Sequence, residues 1–192
     1  MKERAFVTVV SGAPRSGTSM MMRMLAEGGM PALTDGVRVP DRDNPHGYFE
    51  FEPVKRTRVD ASWVAGAQGR AVKMVYGLLA DLPTDRTYRA VLMRRDLGEM
   101  VASQRLMLER LGKDVGKLSD ERKAEIFAVQ LDETERRLRS LPCFSCLSVN
   151  YNELVANPRP HVERVAEFLG GGLDLDAMCA VVDPSLYRNR AR

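Results

Sequence analysis

Short apolar runs alternate with longer amphipathic segments along the chain. The apolar runs have the length and composition of buried strands and cover residues 5–10, 71–75, 88–93 and 144–149. The amphipathic segments place apolar side chains at helical spacing over residues 17–27, 97–111, 119–141 and 159–169. Such alternation predicts an α/β fold, in which a parallel sheet of about five strands is flanked by helices on both faces.

A polar segment separates the first helix from the second strand. Residues 39–51 are rich in Pro, Asp, Asn and Gly, a composition that predicts a surface loop of the kind that often carries function. Residues 53–63 favour a further helix, because Pro53 is tolerated in a first helical turn.

The turn after the first strand has the spacing of a phosphate-binding loop. Gly12 and Gly17 are separated as in the signature G-x-x-x-x-G-K-[ST], and Ser19 holds the hydroxyl position. Thr18 replaces the lysine that reaches the terminal phosphates of ATP, and the nearest cation is Arg15. A planar bidentate donor suits a tetrahedral oxyanion without a metal-bound triphosphate. The alternative is an ordinary strand-turn-helix connection with incidental glycines.

Length and composition limit the function classes. The 192 residues, 44% of them hydrophobic, are consistent with one domain over residues 1–192. With 29 basic and 26 acidic residues the net charge is +3, so no global field favours nucleic acid or an anionic membrane. A local anion site fits the charge balance better.

The cysteines favour neither a zinc site nor a disulfide framework. Cys143 and Cys146 have the C-x-x-C spacing, but no second cysteine or histidine pair completes a zinc site. We interpret them, with Cys179, as reduced core thiols; a redox role for the pair is the alternative.

The N-terminal region lacks the pattern of a secretory signal. Lys2 and Arg4 precede an apolar run that is about half the length a signal peptide needs. No apolar stretch is long enough to span a membrane. We therefore expect a cytoplasmic protein.

Further candidate site residues lie near the ends of later strands, where a ligand of an open parallel sheet is expected. Lys73 lies among apolar neighbours in the second predicted strand, so it is either a buried cation with an anionic partner or a lysine that extends from a sheet edge. Arg95 follows the third strand, and Ser103 comes two turns into the next helix. Together these two can hold a second phosphate.

These motifs resemble those of the sulfotransferases that use 3'-phosphoadenosine 5'-phosphosulfate (PAPS). Residues 14–19 (PRSGTS) resemble the family's 5'-phosphosulfate loop, and Arg95 and Ser103 match the arginine and serine, eight positions apart, of its 3'-phosphate motif. Residues 44–50 (NPHGYFE) resemble a loop of bacterial members, and Lys73 matches a lysine near the transferred group. Leu97 departs from the family's usual proline, and Lys73 lacks the usual Asp-Pro after it.

The resemblance implies PAPS as donor and a set of residues that bind it. This set is Pro14, Arg15, Ser16, Gly17, Thr18, Ser19, Arg95, Ser103 and, from a C-terminal segment similar to the family's closing tail, Arg188. Arg190 belongs to the same tail, for which a plain basic terminus is the alternative.

The implied reaction is in-line transfer of a sulfuryl group to a hydroxyl or amine acceptor. Arg15 and Lys73 are the expected stabilisers of the charge that builds on the bridging oxygen, so we expect no required metal. Glu50 is the first candidate for the base, because neighbouring aromatic side chains predict an apolar environment that raises the pKa of a carboxyl group; its alternative role is helix capping. His46 is the second candidate, with an exposed loop position as its alternative.

The sequence leaves the acceptor open among small molecules, lipids, glycans and peptides. Two other functions also stay open. One is a kinase or NTPase with the same type of loop, which the threonine at position 18 disfavours. The other is a nucleotide-binding protein of this fold without catalysis.

Overall fold

The fold is built on four parallel strands. A computed structural model describes residues 4–41, 44 and 46–183. The strands are β1 (Val7–Gly12), β2 (Ala71–Val75), β3 (Tyr88–Arg94) and β4 (Phe144–Asn150), in the spatial order β2-β1-β3-β4. All three strand pairs are parallel, which confirms the predicted parallel sheet.

The described residues form four strands, where the sequence predicted about five. Beside the edge strand β2, Ala32 pairs with Ala71 in an isolated parallel bridge, and Ala71 N donates to the Pro31 carbonyl at 2.9 Å. Pro31 has no N–H to extend this ladder, which is one physical reason why these residues do not form a full strand.

Within the part of the chain that the structure describes, six α-helices cover the sheet. Their bounds are α1 (Thr18–Glu27), α2 (Leu97–Arg110), α3 (Asp120–Arg139), α4 (Tyr151–Ala156), α5 (Pro158–Phe168) and α6 (Leu175–Ala180). Side chains cap several N-termini, as Asp96 does by accepting from Glu99 N at 2.9 Å. In contrast, α1 begins after Gly17 without a side-chain cap, so its first amides stay available to a ligand.

The prediction of a single helix over residues 53–63 is wrong. The structure has two short 3₁₀ helices there, Glu52–Arg56 and Ser62–Gly66, and a third at Tyr76–Asp81 after β2. The first of these contributes Val54 to the core, but the pattern of apolar residues is too short for a regular α-helix.

The core lies on both faces of the sheet, as predicted. On one face, Met21, Met22 and Met24 of α1 are fully buried against Val10 and Val91. On the other face, Val9, Val72 and Leu92 pack with the 3₁₀ segments and with Leu138 of α3. These two layers hold the strand ends in place for the site described below.

Two further expectations concern the cysteines and the membrane. Cys143, Cys146 and Cys179 are half-buried thiols without a disulfide, and burial raises the pKa of Cys146. Across the described ranges, no helix combines the length and the apolar character needed to cross a membrane.

Candidate functional site

The strand register brings the carboxyl ends of the sheet together. Gly12, the last residue of β1, is level with Val75 of β2 and Met93 of β3. The segments that follow these strands, and the start of α4 after β4, therefore meet at one edge. They line a cavity of about 420 Å³ that also receives side chains from residues 38–55 and from α2.

The loop after β1 has a shape that requires its glycines. A Cβ at Gly12 would collide with Ser16 Oγ and would lie 2.8 Å from the Met93 carbonyl oxygen. Gly17 has φ 93°, and a Cβ there would collide with the ring of Tyr151. Both positions leave room only for a bare backbone, which is what a close approach to an anion needs.

Arg15 joins this loop to the second predicted phosphate motif. Its Nε donates to Ser103 Oγ on α2 at 3.0 Å, and its backbone carbonyl accepts from Arg95 Nη1 at 3.0 Å. Arg15 has φ 71°, a left-handed conformation that is costly for a residue with a side chain. The structure thus brings three sequence-predicted residues from two strand-helix junctions into direct contact.

Arg95 is held in a buried network that the sequence reasoning missed. Glu99 Oε2 lies 3.4 Å from both Nε and Nη2 of Arg95, and Asn152 Nδ2 donates to the same oxygen at 3.0 Å. The guanidinium carbon lies 4.8 Å from the ring centre of Tyr151, whose pKa is raised by burial. Tyr151 and Asn152 directly follow β4, so the rule of residues after strand ends could have found them.

Lys73 of β2 lies on the opposite side of the loop from Arg95. Its side chain reaches the start of α1. Its Nζ donates to Ser19 Oγ at 3.3 Å and to the backbone carbonyl of Tyr48, and lies 3.9 Å from Glu50 Oε1. The side chain is only 14% exposed. Burial lowers the pKa of Lys73 to about 8, against the opposing effect of Glu50. The buried-cation interpretation of Lys73 matches this placement.

Glu50 lies among cations and not in the apolar environment that the sequence predicted. Arg38 Nη1 contacts Oε1 at 2.7 Å, Lys55 Nζ lies 3.8 Å from Oε2, and Lys73 is the third cation. Of the neighbouring aromatic residues, Phe49 has the unusual φ of 52° and packs against the core around α1, and Phe51 packs edge-to-face on Trp63. The premise of an apolar pocket around Glu50 is therefore wrong.

Tyr48 links several of these groups. Its hydroxyl donates to Asp41, with both carboxylate oxygens at 2.7 Å, and the guanidinium carbon of Arg38 lies 3.3 Å from its ring centre. Burial and the hydrogen bond to Asp41 raise the pKa of Tyr48 to about 12. Its backbone carbonyl accepts from Ser19 Oγ at 3.4 Å in addition to Lys73.

The remaining predicted residues have varied positions. Pro14 and Thr18 line the cavity, and so does the exposed His46. Ser16 Oγ is buried and has no hydrogen-bond partner within the described part of the chain. Arg188 and Arg190 lie outside the described residues. In the ranges that the structure covers, no group of three or more His, Cys, Asp or Glu residues could hold a metal ion.

Comparisons with known proteins give similarity in structure alone. No family model matches the sequence, and no curated protein matches it in sequence. The sulfotransferase domain of the Synechococcus PCC 7002 olefin synthase superposes over 100% of this chain and 90% of its own, with 16% identity and a TM-score of 0.59. A sulfotransferase from Alicyclobacillus acidocaldarius covers 89% of this chain and 82% of its own, with 17% identity and a TM-score of 0.53.

A third similar structure contains ligands. Retinol dehydratase in a complex with retinol and PAP covers 98% of this chain and 68% of its own, with 17% identity and a TM-score of 0.54. At these identities the comparisons concern the fold. The chain has the sulfotransferase fold.

Proposed function

We propose that this protein transfers a sulfuryl group from PAPS to a hydroxyl or amine acceptor. The observation that carries the proposal is the contact between the two motifs. Arg15 of the loop after β1 and Ser103 of α2 are 88 residues apart in sequence, yet their side chains lie 3.0 Å apart at the mouth of one cavity. A ligand with two separate phosphate groups would match this arrangement.

The residues present fit the anionic end of the donor. The first amides of α1 have no side-chain cap, and the buried Ser16 Oγ has no partner among the described residues. Gly12 and Gly17 allow the tight turn of this loop, because a Cβ at either position would collide with neighbouring protein atoms. When bound, PAPS supplies the sulfuryl group and leaves as 3'-phosphoadenosine 5'-phosphate (PAP). In the proposal, residues 14–19 hold the 5' end, and Arg95 with Ser103 holds the 3'-phosphate.

Lys73 and Arg15 are the proposed stabilisers of developing charge. With a pKa of about 8, Lys73 is predominantly an ammonium at neutral pH, and burial strengthens its field because water screens it poorly. Loss of one such donor typically costs ~3 kcal/mol of barrier. Fixed cations of this kind support a reaction that requires no metal.

Glu50 is the proposed base. Its carboxylate and the ammonium of Lys73 line the same cavity, so an acceptor hydroxyl bound there meets a base and a cation at once. His46 remains the alternative, because it lines the same cavity. It is the second choice because its side chain is exposed.

The cavity has apolar walls beside its charged groups. Phe51, Val54, Val75 and Leu78 line it together with Glu50. The similar retinol dehydratase structures hold retinol or androsterone together with PAP. These observations favour a small molecule with an apolar part over a glycan or a peptide as acceptor. A cytoplasmic location stays a prediction from the sequence.

Calorimetry with PAP and AMP tests the donor. A charged hydrogen bond contributes about 1.5 to 3 kcal/mol, so PAP should bind at least roughly tenfold more tightly than AMP. Equal affinities would contradict the proposal, and tight ATP binding with Mg²⁺ would favour the kinase alternative. Transfer of labelled sulfate from PAPS to a panel of alcohols, phenols and amines then tests catalysis, and PAP binding without any transfer would favour the non-catalytic alternative.

A further inference from the structure

Arg38 contacts the proposed base but belongs to none of the predicted motifs. Its Nη1 lies 2.7 Å from Glu50 Oε1, and the two side chains are 39% and 21% exposed. It comes from an irregular segment, residues 34–41, that reaches over the cavity. What Arg38 does there depends on the proposed function, because Glu50 is a base only in that proposal.

The guanidinium of Arg38 stacks on an aromatic ring. Its carbon lies 3.3 Å from the ring centre of Tyr48, and the Tyr48 hydroxyl is anchored on Asp41. Stacking on a ring face leaves the planar edge of a guanidinium available for hydrogen bonds. Arg38 is therefore restricted to a plane in which its edge meets the carboxylate.

The backbone around Arg38 is tied to the backbone around Glu50. Thr34 Oγ1 donates to the Glu50 carbonyl at 2.9 Å, and Asp35 N donates to the same carbonyl at 3.2 Å. In return, Glu52 N donates to Asp35 Oδ2 at 2.6 Å. These bonds hold the two segments in register, so Arg38 and Glu50 keep their relative position.

The two oxygens of Glu50 consequently have different surroundings. Oε1 accepts from Arg38 and lies 3.9 Å from Lys73 Nζ. Oε2 has Lys55 Nζ at 3.8 Å, and within the described ranges it accepts no hydrogen bond. Oε1 is therefore occupied by the hydrogen bond from Arg38, whereas Oε2 can receive a proton.

We propose that Arg38 is the positioning residue of Glu50, which holds Oε1 so that Oε2 is the oxygen that takes the acceptor's proton. In that step the acceptor oxygen forms its bond to sulfur, the bond from sulfur to the bridging oxygen breaks, and the electron pair of that bond leaves with PAP. The acceptor's proton passes to Oε2. Arg38 does not touch the reacting atoms and acts through Glu50.

Lys55 provides a matched control. It faces the same carboxylate at 3.8 Å, but its own side chain is 57% exposed and is bonded to Glu52. The charged groups around Glu50 are thus Arg38, Lys55 and Lys73, with Glu52 on the outer side. Lys55→Gln removes one positive charge near Glu50 but no hydrogen bond to it. Arg38→Gln removes a positive charge and a hydrogen bond to Glu50.

Steady-state kinetics separates the two effects. Arg38→Gln should lower kcat by about tenfold to a hundredfold, since a misplaced catalytic group costs this much, while the Kd for PAP stays unchanged. Arg38→Lys keeps the positive charge but not the planar guanidinium, so it should not restore kcat. Lys55→Gln should lower kcat much less. Equal effects of Arg38→Gln and Lys55→Gln would overturn the proposal.

The ¹³C NMR signal of the Glu50 carboxyl group gives a second readout that needs no turnover. Glu50→Gln identifies the signal, and its chemical shift at neutral pH should change in Arg38→Gln, because the guanidinium contact is lost, but scarcely in Lys55→Gln. An unchanged signal in a protein that binds PAP overturns this inference alone. A wild-type protein that does not bind PAP overturns the proposed function and, with it, the role given to Arg38.

Discussion

The two sides of the cavity are built in different ways. The nucleotide flank, formed by Arg15, Arg95, Ser103 and Glu99, rests on the ends of β1 and β3 and on the first turns of α2, and the side chains of Arg95 and Glu99 are only 7% and 4% exposed. The transfer flank, formed by Lys73, Glu50 and Arg38, combines one strand residue with an irregular segment whose side chains remain partly exposed.

This difference has a physical consequence for binding and chemistry. A carboxylate buried beside Arg95 fixes the position of that cation but also offsets its charge, which suits recognition of a fixed phosphate. On the transfer flank, three cations face the single carboxylate of Glu50. Such a cluster can respond to charge that changes during a reaction. We therefore expect substitutions of Arg95, Ser103 and Glu99 to change Kd, and substitutions on the transfer flank or of the charge-stabilising Arg15 to change kcat.

The largest expected effect is that of Glu50→Gln. The change preserves shape and removes basicity, so turnover should fall by roughly a hundredfold or more while PAP affinity stays unchanged. Glu52→Gln, an exposed change two residues away, is the control. Should Glu50→Gln keep near-wild-type turnover while His46→Ala abolishes it with PAP still bound, the base is the histidine.

Lys73→Met should lower kcat by roughly a hundredfold, from the ~3 kcal/mol that one charge-stabilising donor contributes. Thermal melts provide the internal control. Because Lys73 is a largely buried cation with a lowered pKa, an apolar side chain of similar length should leave the melting temperature unchanged or raise it. If instead the KM for PAPS rises at constant kcat, Lys73 contributes to donor binding and not to the transfer step.

Ser103→Ala should act on binding. Loss of a hydroxyl beside Arg15 should lower the affinity for PAP by roughly tenfold, whereas AMP, which lacks the 3'-phosphate, should bind as before. Isothermal calorimetry with both nucleotides measures the difference, and the exposed Ser145→Ala on β4 serves as control. If the affinity for AMP falls as much as that for PAP, Ser103 stabilises the loop after β1 and does not recognise the 3'-phosphate.

The smallest expected effect is in the pH dependence. Because burial lowers the pKa of Lys73 to about 8, its ammonium is lost as pH rises through that value, and kcat/KM should fall on the alkaline side near pH 8. The anionic donor stabilises the ammonium, so the corresponding limb of kcat should lie at higher pH. A kcat/KM that stays constant up to pH 9.5 would exclude Lys73 as the responsible cation.

Sequence by itself determined the α/β fold and the residues on regular elements. Gly12 and Gly17 could be recognised because a tight turn into a helix has few solutions. Arg95 and Ser103 could be recognised because they follow a strand end and resemble the 3'-phosphate motif of the PAPS-dependent sulfotransferases. The bounds of the four predicted strands and of α1, α2, α3 and α5 followed from periodicity to within a few residues, as for α2, predicted over 97–111 and found over Leu97–Arg110.

Only the tertiary structure decided how these residues are paired. The contact of Arg15 with Ser103, the hydrogen bond from Asn152 to Glu99, and the placement of Arg38 on Tyr48 each join segments that no local pattern relates. The environment of Glu50 was predicted incorrectly for this reason. Neighbours in sequence suggested aromatic rings, but backbone conformation at Phe49 and the path of residues 34–41 placed cations there instead. In irregular segments, direction depends on long-range hydrogen bonds, and a one-dimensional pattern does not contain them.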